Sequence, residues 1–96
     1  MSAARLIYRH YQAFDDGAIL EVIIWSVPRP VPGSSHAYKY RLFYGYPGQR
    51  VIGYDNERPK GDHRHFRGNE ERYSFTNPEQ LIDDFLAEVA NERRMP

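Results

Sequence analysis

A polar block at residues 54–65 contains the residue types in this sequence that are best suited to chemistry. It reads Tyr-Asp-Asn-Glu-Arg-Pro-Lys-Gly-Asp-His-Arg-His, and its two histidines, His63 and His65, are two positions apart. In an extended segment such residues share a face, and imidazoles exchange protons near neutral pH. Lysine and arginine side chains nearby can bind a phosphate. The pattern is therefore compatible with a metal-independent ribonuclease site.

In such a site one histidine or Tyr54 would take the proton of a ribose 2′-hydroxyl, and another group would protonate the leaving oxygen. A lysine or arginine would stabilise the charged transition state, and the spacing does not choose among these assignments. The candidates for catalysis are Tyr54, Asp55, Glu57, Lys60, Asp62, His63 and His65. The candidates for substrate binding are His36, Lys39, Arg41, Asn56, Arg58 and Arg64.

Two other interpretations of the block remain open. His63 and His65 could ligate a divalent metal together with a nearby carboxylate, but the cations Arg58, Lys60 and Arg64 oppose cation binding there. We therefore predict no metal and no other cofactor. In the second interpretation the polar residues only build turns and pair at the surface.

Charge is segregated along the chain, although the formal net charge is zero. Residues 29–67 carry eight basic and three acidic side chains, whereas residues 68–96 carry three basic and seven acidic ones. A local excess of one sign attracts a charged partner more than the net charge does. The basic middle suits RNA as a ligand. It also suits the alternative function, a small non-enzymatic protein whose basic face binds nucleic acid or an acidic partner protein.

Hydropathy patterning predicts the elements that position the block. Residues 5–14 alternate in polarity and end at an Asp-Asp-Gly sequence, which is typical of a strand and a hairpin turn. Residues 18–27 are nearly continuously apolar and rich in β-branched side chains, which predicts a central strand covered on both faces. The proline-rich residues 28–32 then predict a loop.

A second hairpin is predicted at residues 36–56, where a Pro-Gly pair supplies the turn. With a two-residue loop, Arg41 opposes Tyr54 and Lys39 opposes Asn56. These four side chains then share one face of the hairpin, next to the remainder of the polar block.

The C-terminal part of the sequence predicts a helix. In the polar loop before it, residues 63–66 predict a short strand and residues 73–75 another. The Asn-Pro-Glu-Gln sequence at residues 77–80 is typical of a capped helix start, and apolar spacing continues to about residue 93. We predict one α+β domain over residues 1–96: an antiparallel hairpin meander of four to five strands with this helix packed on one face.

The composition limits where the protein acts. A chain of 96 residues has room for one core, and the absence of cysteine fits a reducing cytoplasm. No signal-peptide pattern is present, and no apolar run reaches the roughly 20 residues that span a bilayer. These observations predict a cytoplasmic protein that is not bound to a membrane. Its strand edges and aromatic surface are compatible with a homodimer.

Several motifs resemble, in fixed order, those of the TumE family, which are toxin components of bacterial and archaeal toxin–antitoxin pairs. They are DGAILE at residues 16–21, KYRL at 39–42, YDNE at 54–57 and KGDHRH at 60–65. The resemblance covers about residues 4–89, with Pro59 standing where the family usually has glycine. It implies a toxin whose cognate antitoxin is a helix-turn-helix DNA-binding protein encoded beside it. It does not imply which residues act.

Overall fold

Strands and turns alternate along the first three-quarters of the chain, and the computed structural model describes residues 3–94. The elements are β1 (Arg5–Ala13), β2 (Ile19–Ser26), β3 (Tyr38–Tyr46), β4 (Gln49–Asp55), β5 (His63–Phe66), β6 (Asn69–Arg72) and α1 (Pro78–Arg94). The strands form one antiparallel sheet in the order β1-β2-β3-β4-β5-β6. The predicted α+β class is confirmed, but the meander has six strands instead of four to five.

Helix α1 covers one face of the sheet. Its start is capped as predicted, because the Asn77 side chain accepts a hydrogen bond from the Gln80 backbone N–H at 2.7 Å. Leu81, Phe85 and Val89 are spaced by four residues and are buried against the strands. In residues 3–94 no helix is sufficiently long and apolar to cross a membrane.

Strand β2 is buried on one face only. Leu20 and Ile24 are almost inaccessible, whereas the alternate residues Ile23 and Trp25 are half-buried. The prediction that both faces of this strand are covered is therefore wrong. The chain has a single helix within the described residues, and it packs on one side. We call the uncovered side of the sheet the open face.

The β3–β4 hairpin turns at the predicted place but changes register beyond the turn. Tyr46 pairs with Gln49, as predicted, whereas Tyr44 pairs with Ile52. The extra residue in β4 is a β-bulge, and Gly45 accommodates it, since a Cβ atom there would lie 2.2 Å from the Gln49 carbonyl oxygen.

Because side chains alternate across a strand, this one-residue shift exchanges the two faces. Arg41 pairs with Asp55, and Leu42 pairs with Tyr54. Tyr54 and Asn56 are buried, in contrast to the prediction that they share a face with Arg41. Asp55 takes the place on the open face that the sequence assigned to Tyr54.

The last strand also differs from the prediction. The strand at His63–Phe66 is confirmed, but β6 lies at Asn69–Arg72, and residues 73–75 form no strand. The turn between β5 and β6 contains two residues with positive φ, Arg67 at 48° and Gly68 at 86°. Positive φ at both central positions is the geometry of a tight hairpin turn, and Arg-Gly is not among the pairs that usually signal it.

Candidate functional site

A cavity of about 550 Å³ opens on the open face of the sheet. Ile23 and Trp25 of β2 supply apolar surface to its lining. Tyr40 and the charged or titratable side chains of the neighbouring strands and loop complete the lining: Lys39, Arg41, Arg50, Asp55, Glu57, Lys60, His65 and Glu70. Its volume lies in the range of roughly 300–1,000 Å³ that is typical of ligand sites. The mixed lining suits a ligand with both an apolar and an anionic part.

Asp55, His65 and Arg50 form a chain of polar contacts in this cavity. His65 Nδ1 lies 3.0 Å from Arg50 Nη2. A guanidinium can only donate, so Nδ1 accepts and the ring proton is on Nε2. That nitrogen lies 3.4 Å from Asp55 Oδ2, within ion-pair distance of the carboxylate. Arg50 also approaches the same oxygen, at 4.0 Å. His65 is therefore held in one tautomer, with its basic nitrogen facing an arginine.

This arrangement can transfer a proton when Arg50 moves. The Arg50 side chain is 43% exposed, so it can rotate toward a bound phosphate, which guanidinium groups bind in a bidentate manner. Rotation frees the lone pair of His65 Nδ1. Asp55 would then stabilise the imidazolium that forms when the ring takes a proton. His65 can thus act as a base, Asp55 as the carboxylate that orients it, and Arg50 as a phosphate ligand.

His63 lies beside the cavity, over a shallow depression that Lys60, Glu70 and Arg72 also line. Its Nδ1–H donates to the Gly61 carbonyl oxygen at 3.0 Å, which leaves Nε2 as the nitrogen available to a ligand. Glu70 Oε2 lies 3.8 Å from this Nε2 and 3.7 Å from Lys60 Nζ. The two histidines of β5 therefore face the same side of the sheet, as predicted from their spacing.

Two exposed cations at the edge of the cavity, Lys39 and Arg41, are available to an anion. Within residues 3–94 Lys39 makes no ion pair, and Arg41 reaches only Glu21, at 3.4 Å. Both side chains are exposed, and exposed pairs contribute little free energy, so an anion can displace them at small cost. Glu57 is exposed on the same edge. An anion can therefore reach Lys39 and Arg41 without breaking a strong ion pair.

Asp62 lies outside this cavity lining, in a buried polar cluster. Its carboxylate accepts hydrogen bonds from Ser34 Oγ at 2.6 Å, His36 Nε2 at 2.7 Å and Tyr40 Oη at 2.6 Å. Burial alone would raise the pKa of Asp62, but these three bonds hold that pKa below its usual value. Burial, together with the bond to the carboxylate, raises the pKa of Tyr40 far above its usual value. The cluster connects the loop before β3 to the loop before β5.

His36 is fully engaged in that cluster. Its Nδ1 accepts the Tyr38 backbone N–H at 3.2 Å, so Nε2 carries the proton given to Asp62. Its ring stacks on Phe75 with centroids 3.7 Å apart. Neither nitrogen is free for a substrate in this arrangement.

Asn56 is 1% exposed and uses its whole amide group. Its oxygen accepts the Tyr40 backbone N–H at 3.0 Å, and its nitrogen donates to the Tyr38 carbonyl at 2.6 Å and to Ser34 Oγ at 3.3 Å. The structure therefore places this predicted substrate ligand in a structural role, fastening β3 to the end of β4.

Tyr54 and Arg64 lie on the side of the sheet that α1 covers. Both contact Glu88 of the helix, Tyr54 through its hydroxyl and Arg64 through its guanidinium. Burial, and then the bond to Glu88, raises the pKa of Tyr54 well above its usual value. Burial alone would raise the pKa of Glu88, but the bonds from Arg64 and Tyr54 lower it. These residues hold the helix on the sheet.

The comparisons with known proteins agree with the motifs. The family model described as Toxin TumE matches residues 3–93. The chain belongs to the TumE toxin family. A search of the curated proteins and a search of the solved structures each found no match. The family gives this chain the role of a toxin.

In this TumE-family chain the polar block divides between two faces. Six of the predicted site residues line the cavity: Lys39, Arg41, Asp55, Glu57, Lys60 and His65. His63 lies next to it. The others lie elsewhere: Tyr54 and Arg64 under the helix, Asn56, Asp62 and His36 in the buried cluster, and Arg58 exposed in the loop after β4.

Five residues of the cavity lining were not among the predicted site residues: Ile23, Trp25, Tyr40, Arg50 and Glu70. Arg50 lies on β4, the strand that also carries the start of the polar block, and Glu70 lies on β6 beyond the β5–β6 turn; strand pairing brings both beside His65. Trp25 lies in the apolar strand that was predicted to be covered on both faces. Side chains along β2 alternate between the buried face and the open face. This alternation would have identified Trp25 if one face of the strand had been predicted to be open.

Metal ligation was the other chemistry considered for the TumE-family motif. Within residues 3–94 no group of three or more histidine, aspartate or glutamate side chains is arranged to hold a metal ion. His65 Nε2 lies 3.4 Å from the Asp55 carboxylate, and its Nδ1 lies 3.0 Å from Arg50 Nη2. This geometry favours hydrogen bonding over coordination.

Proposed function

We propose that this TumE-family toxin acts on RNA as a metal-independent ribonuclease, with its site in the open-face cavity. The observation that carries the proposal is the Asp55–His65–Arg50 chain, which is bordered by the unpaired cation of Lys39. A carboxylate-oriented imidazole is a general base, and the flanking cations match the charge of a phosphodiester. A toxin that cleaves RNA would act in the cytoplasm.

In the proposed reaction His65 Nδ1 takes the proton of a ribose 2′-hydroxyl. The 2′-oxygen then attacks the adjacent phosphorus, and the bond from phosphorus to the 5′-oxygen breaks to leave a 2′,3′-cyclic phosphate. His63, when protonated at Nε2, gives its proton to the departing 5′-oxygen. Residues two apart on a strand are separated by roughly 7 Å, so the two rings can lie on opposite sides of one phosphate.

The alternative is an RNA-binding translation inhibitor without catalysis. It is favoured by the contact between Arg50 and His65 Nδ1, which leaves this nitrogen no free lone pair before RNA binds. In that case Lys39 and Arg41 would set the affinity, and the affinity would fall steeply with salt. His65 would then serve only to hold Arg50.

Cleavage of a labelled single-stranded RNA by the purified protein, in the presence of a chelator, tests the proposal. We expect His65→Ala to slow cleavage by about 10²- to 10⁴-fold, the usual contribution of a general base. His10→Ala is the matched control, since His10 is an exposed histidine on β1, outside the cavity lining, and this change should leave the rate unchanged. Wild-type rates in a double His63→Ala, His65→Ala variant would overturn the mechanism. Binding without any cleavage by the wild type would favour the alternative.

We also propose that the partner of this chain, an antitoxin encoded beside it, binds along β1. All nine residues of this edge strand are exposed, among them Leu6, Ile7, Tyr8 and Tyr11. An exposed apolar edge strand can add a strand from a partner. The strand carries Arg5 and Arg9 but no acid. Pairing with a second copy would bring arginines together, so we favour an extended, acidic partner segment over a homodimer.

Co-expression with the neighbouring helix-turn-helix protein tests this surface. We expect Tyr8→Glu to prevent co-purification, because it places an acid against an acidic segment. Leu86→Glu is the matched control, since Leu86 is an exposed apolar residue on α1 with nearly the same exposure, 43% against 42%. Equal co-purification of both variants would refute the β1 surface. A dimer of the toxin that Tyr8→Glu disrupts would instead identify a second copy as the occupant.

A further inference from the structure

The most conspicuous group in the cavity that the proposed reaction does not use is the indole of Trp25. It belongs to β2, where its neighbour Ile24 is fully buried under the helix. Strand alternation therefore turns Trp25 to the open face, where it is half-buried and lines the cavity. The rigid strands on either side hold its backbone, since it pairs with Leu6 of β1 and Lys39 of β3.

Trp25 lacks the partners that aromatic residues find elsewhere in this fold. His36, Tyr40 and Phe75 stack on one another, and Tyr54 packs edge-on against Tyr73. Within residues 3–94 no aromatic ring pairs with Trp25, and its indole N–H donates to no protein group. No buried side-chain nitrogen in the described residues lacks a partner, so the indole N–H of Trp25 is open to solvent in the cavity and can meet a ligand there.

The cations beside this ring have the spacing of a nucleotide backbone. Lys39 is directly opposite Trp25, and Arg41 is opposite Ile23, two positions along the strand. Two residues of a strand span roughly 7 Å, which is comparable with the distance between successive phosphates of an RNA strand. A chain that places its phosphates on Lys39 and Arg41 would bring a base over the apolar surface between them.

We infer that Trp25 is the stacking platform for a nucleobase, and that the ligand of the cavity is therefore single-stranded RNA. This inference rests on the proposed action on RNA and specifies its substrate class. Only an unpaired base can leave its neighbours and stack on a side chain, whereas the bases of a duplex are already stacked. Because Trp25 and His65 line one cavity, stacking of a base would also place the adjoining phosphodiester beside the base catalyst.

The inference can be tested directly because Trp25 is the single tryptophan of the chain. The probe is an eight-nucleotide RNA with 2′-O-methyl groups, which cannot be cleaved, and it carries a 5′-fluorophore. Anisotropy of the fluorophore measures binding, and quenching of tryptophan emission measures stacking. We expect the single strand to quench Trp25 on binding. The same oligomer annealed to its complement should bind more weakly and leave the emission unchanged.

The affinities of variants at Trp25 provide a second test of the stacking site. Trp25→Leu should weaken binding of the single strand by about 5- to 150-fold, the range for loss of one base–aromatic stack. Trp25→Phe should retain part of the affinity, because it keeps a smaller ring. Phe43→Leu is the matched control, since Phe43 is a half-buried aromatic residue of β3 outside the cavity lining, and the affinity of this variant should equal that of the wild type. An abasic oligomer should bind the wild type and Trp25→Leu equally.

The outcomes separate this inference from the proposed function. If the wild type shows no anisotropy change with any RNA at low salt, action on RNA is wrong and the stacking site fails with it. If RNA binds but the emission is not quenched and Trp25→Leu binds as tightly as the wild type, the stacking site alone is refuted. Should Trp25→Leu fail to fold, as judged by circular dichroism, the quenching of the wild type and the affinity of Trp25→Phe still decide the question.

Discussion

Alanine in place of Asp62 should destabilise the fold, although Asp62 belongs to the motif that the sequence marked as catalytic. The Asp62 side chain is 10% exposed and accepts three short hydrogen bonds. Alanine would leave the hydroxyls of Ser34 and Tyr40 and the Nε2–H of His36 without their acceptor. The loops before β3 and β5 would lose their connection.

The magnitude follows from these contacts. A hydrogen bond to a charged group contributes about 1.5–3 kcal/mol, but three bonds to one carboxylate are not additive and water can replace part of the loss. Each buried donor left without its acceptor costs about 1–3 kcal/mol, and because the three losses are not additive we expect Asp62→Ala to cost about 3–5 kcal/mol in all. Domains of this size have a free energy of unfolding of about 5–15 kcal/mol, so the variant should still fold but keep only a small free energy of unfolding.

Asp55→Ala is the matched control from the same motif. Asp55 is 24% exposed and has only the 3.4 Å contact to His65 and the 4.0 Å approach of Arg50. Such partly exposed pairs contribute about 0–1 kcal/mol. We therefore expect Asp55→Ala to keep its stability and to lose RNA cleavage, whereas Asp62→Ala should lose mainly stability.

Urea unfolding followed by circular dichroism measures the difference. With a slope of about 1–2 kcal/mol per molar urea, the midpoint of Asp62→Ala should fall by about 1.5 M or more, and that of Asp55→Ala by less than about 1 M. An Asp62→Ala protein with the wild-type midpoint would refute the structural role of the cluster. If that stable protein had also lost cleavage, Asp62 would belong to the chemistry after all.

Three further predictions concern the same framework. Asn56→Ala should cost about 2–4 kcal/mol in urea unfolding, because a buried backbone N–H and a carbonyl lose their partner; a loss below about 1 kcal/mol would contradict this. Glu88→Ala should lower the free energy of unfolding by about 1–3 kcal/mol in thermal melts, since it removes the acceptor of a tyrosine and an arginine beneath the helix. Because the pKa of Asp62 is lowered on folding, its stabilisation should be complete above the unfolded value of about 3.9 and disappear as the pH falls through the lower folded value. The stability difference between wild type and Asp62→Asn should therefore be constant above about pH 5 and shrink in stronger acid; a difference that grows there would show the opposite sign.

Local signals predicted several elements well. The helix start at Asn77 and Pro78 was predictable because an N-cap and a first-turn proline act within a few residues. The Pro-Gly turn was predictable because Gly48 supplies the positive φ that the turn requires. The motifs that mark the family are also properties of the chain alone.

The division of the polar block between two faces was not predictable in this way. The bulge opposite Gly45 changes the register by one residue, and with a period of two this transfers Tyr54 and Asn56 to the core and Asp55 to the open face. A bulge is selected by how the strands fit the sheet and the helix. No local pattern in the sequence predicts this bulge.

By itself, the sequence determined the α+β class, the turns of the first two hairpins, the capped helix and the family, because these depend on contacts between near neighbours or on the order of motifs. Only the tertiary structure decided which surroundings each acid of the motif has. Asp62 and Asp55 are both aspartates of one polar block, but Asp62 is enclosed by three donors from distant residues, and Asp55 faces His65 across a strand pair. Their different surroundings arise from strand pairing and burial, which depend on the whole sheet.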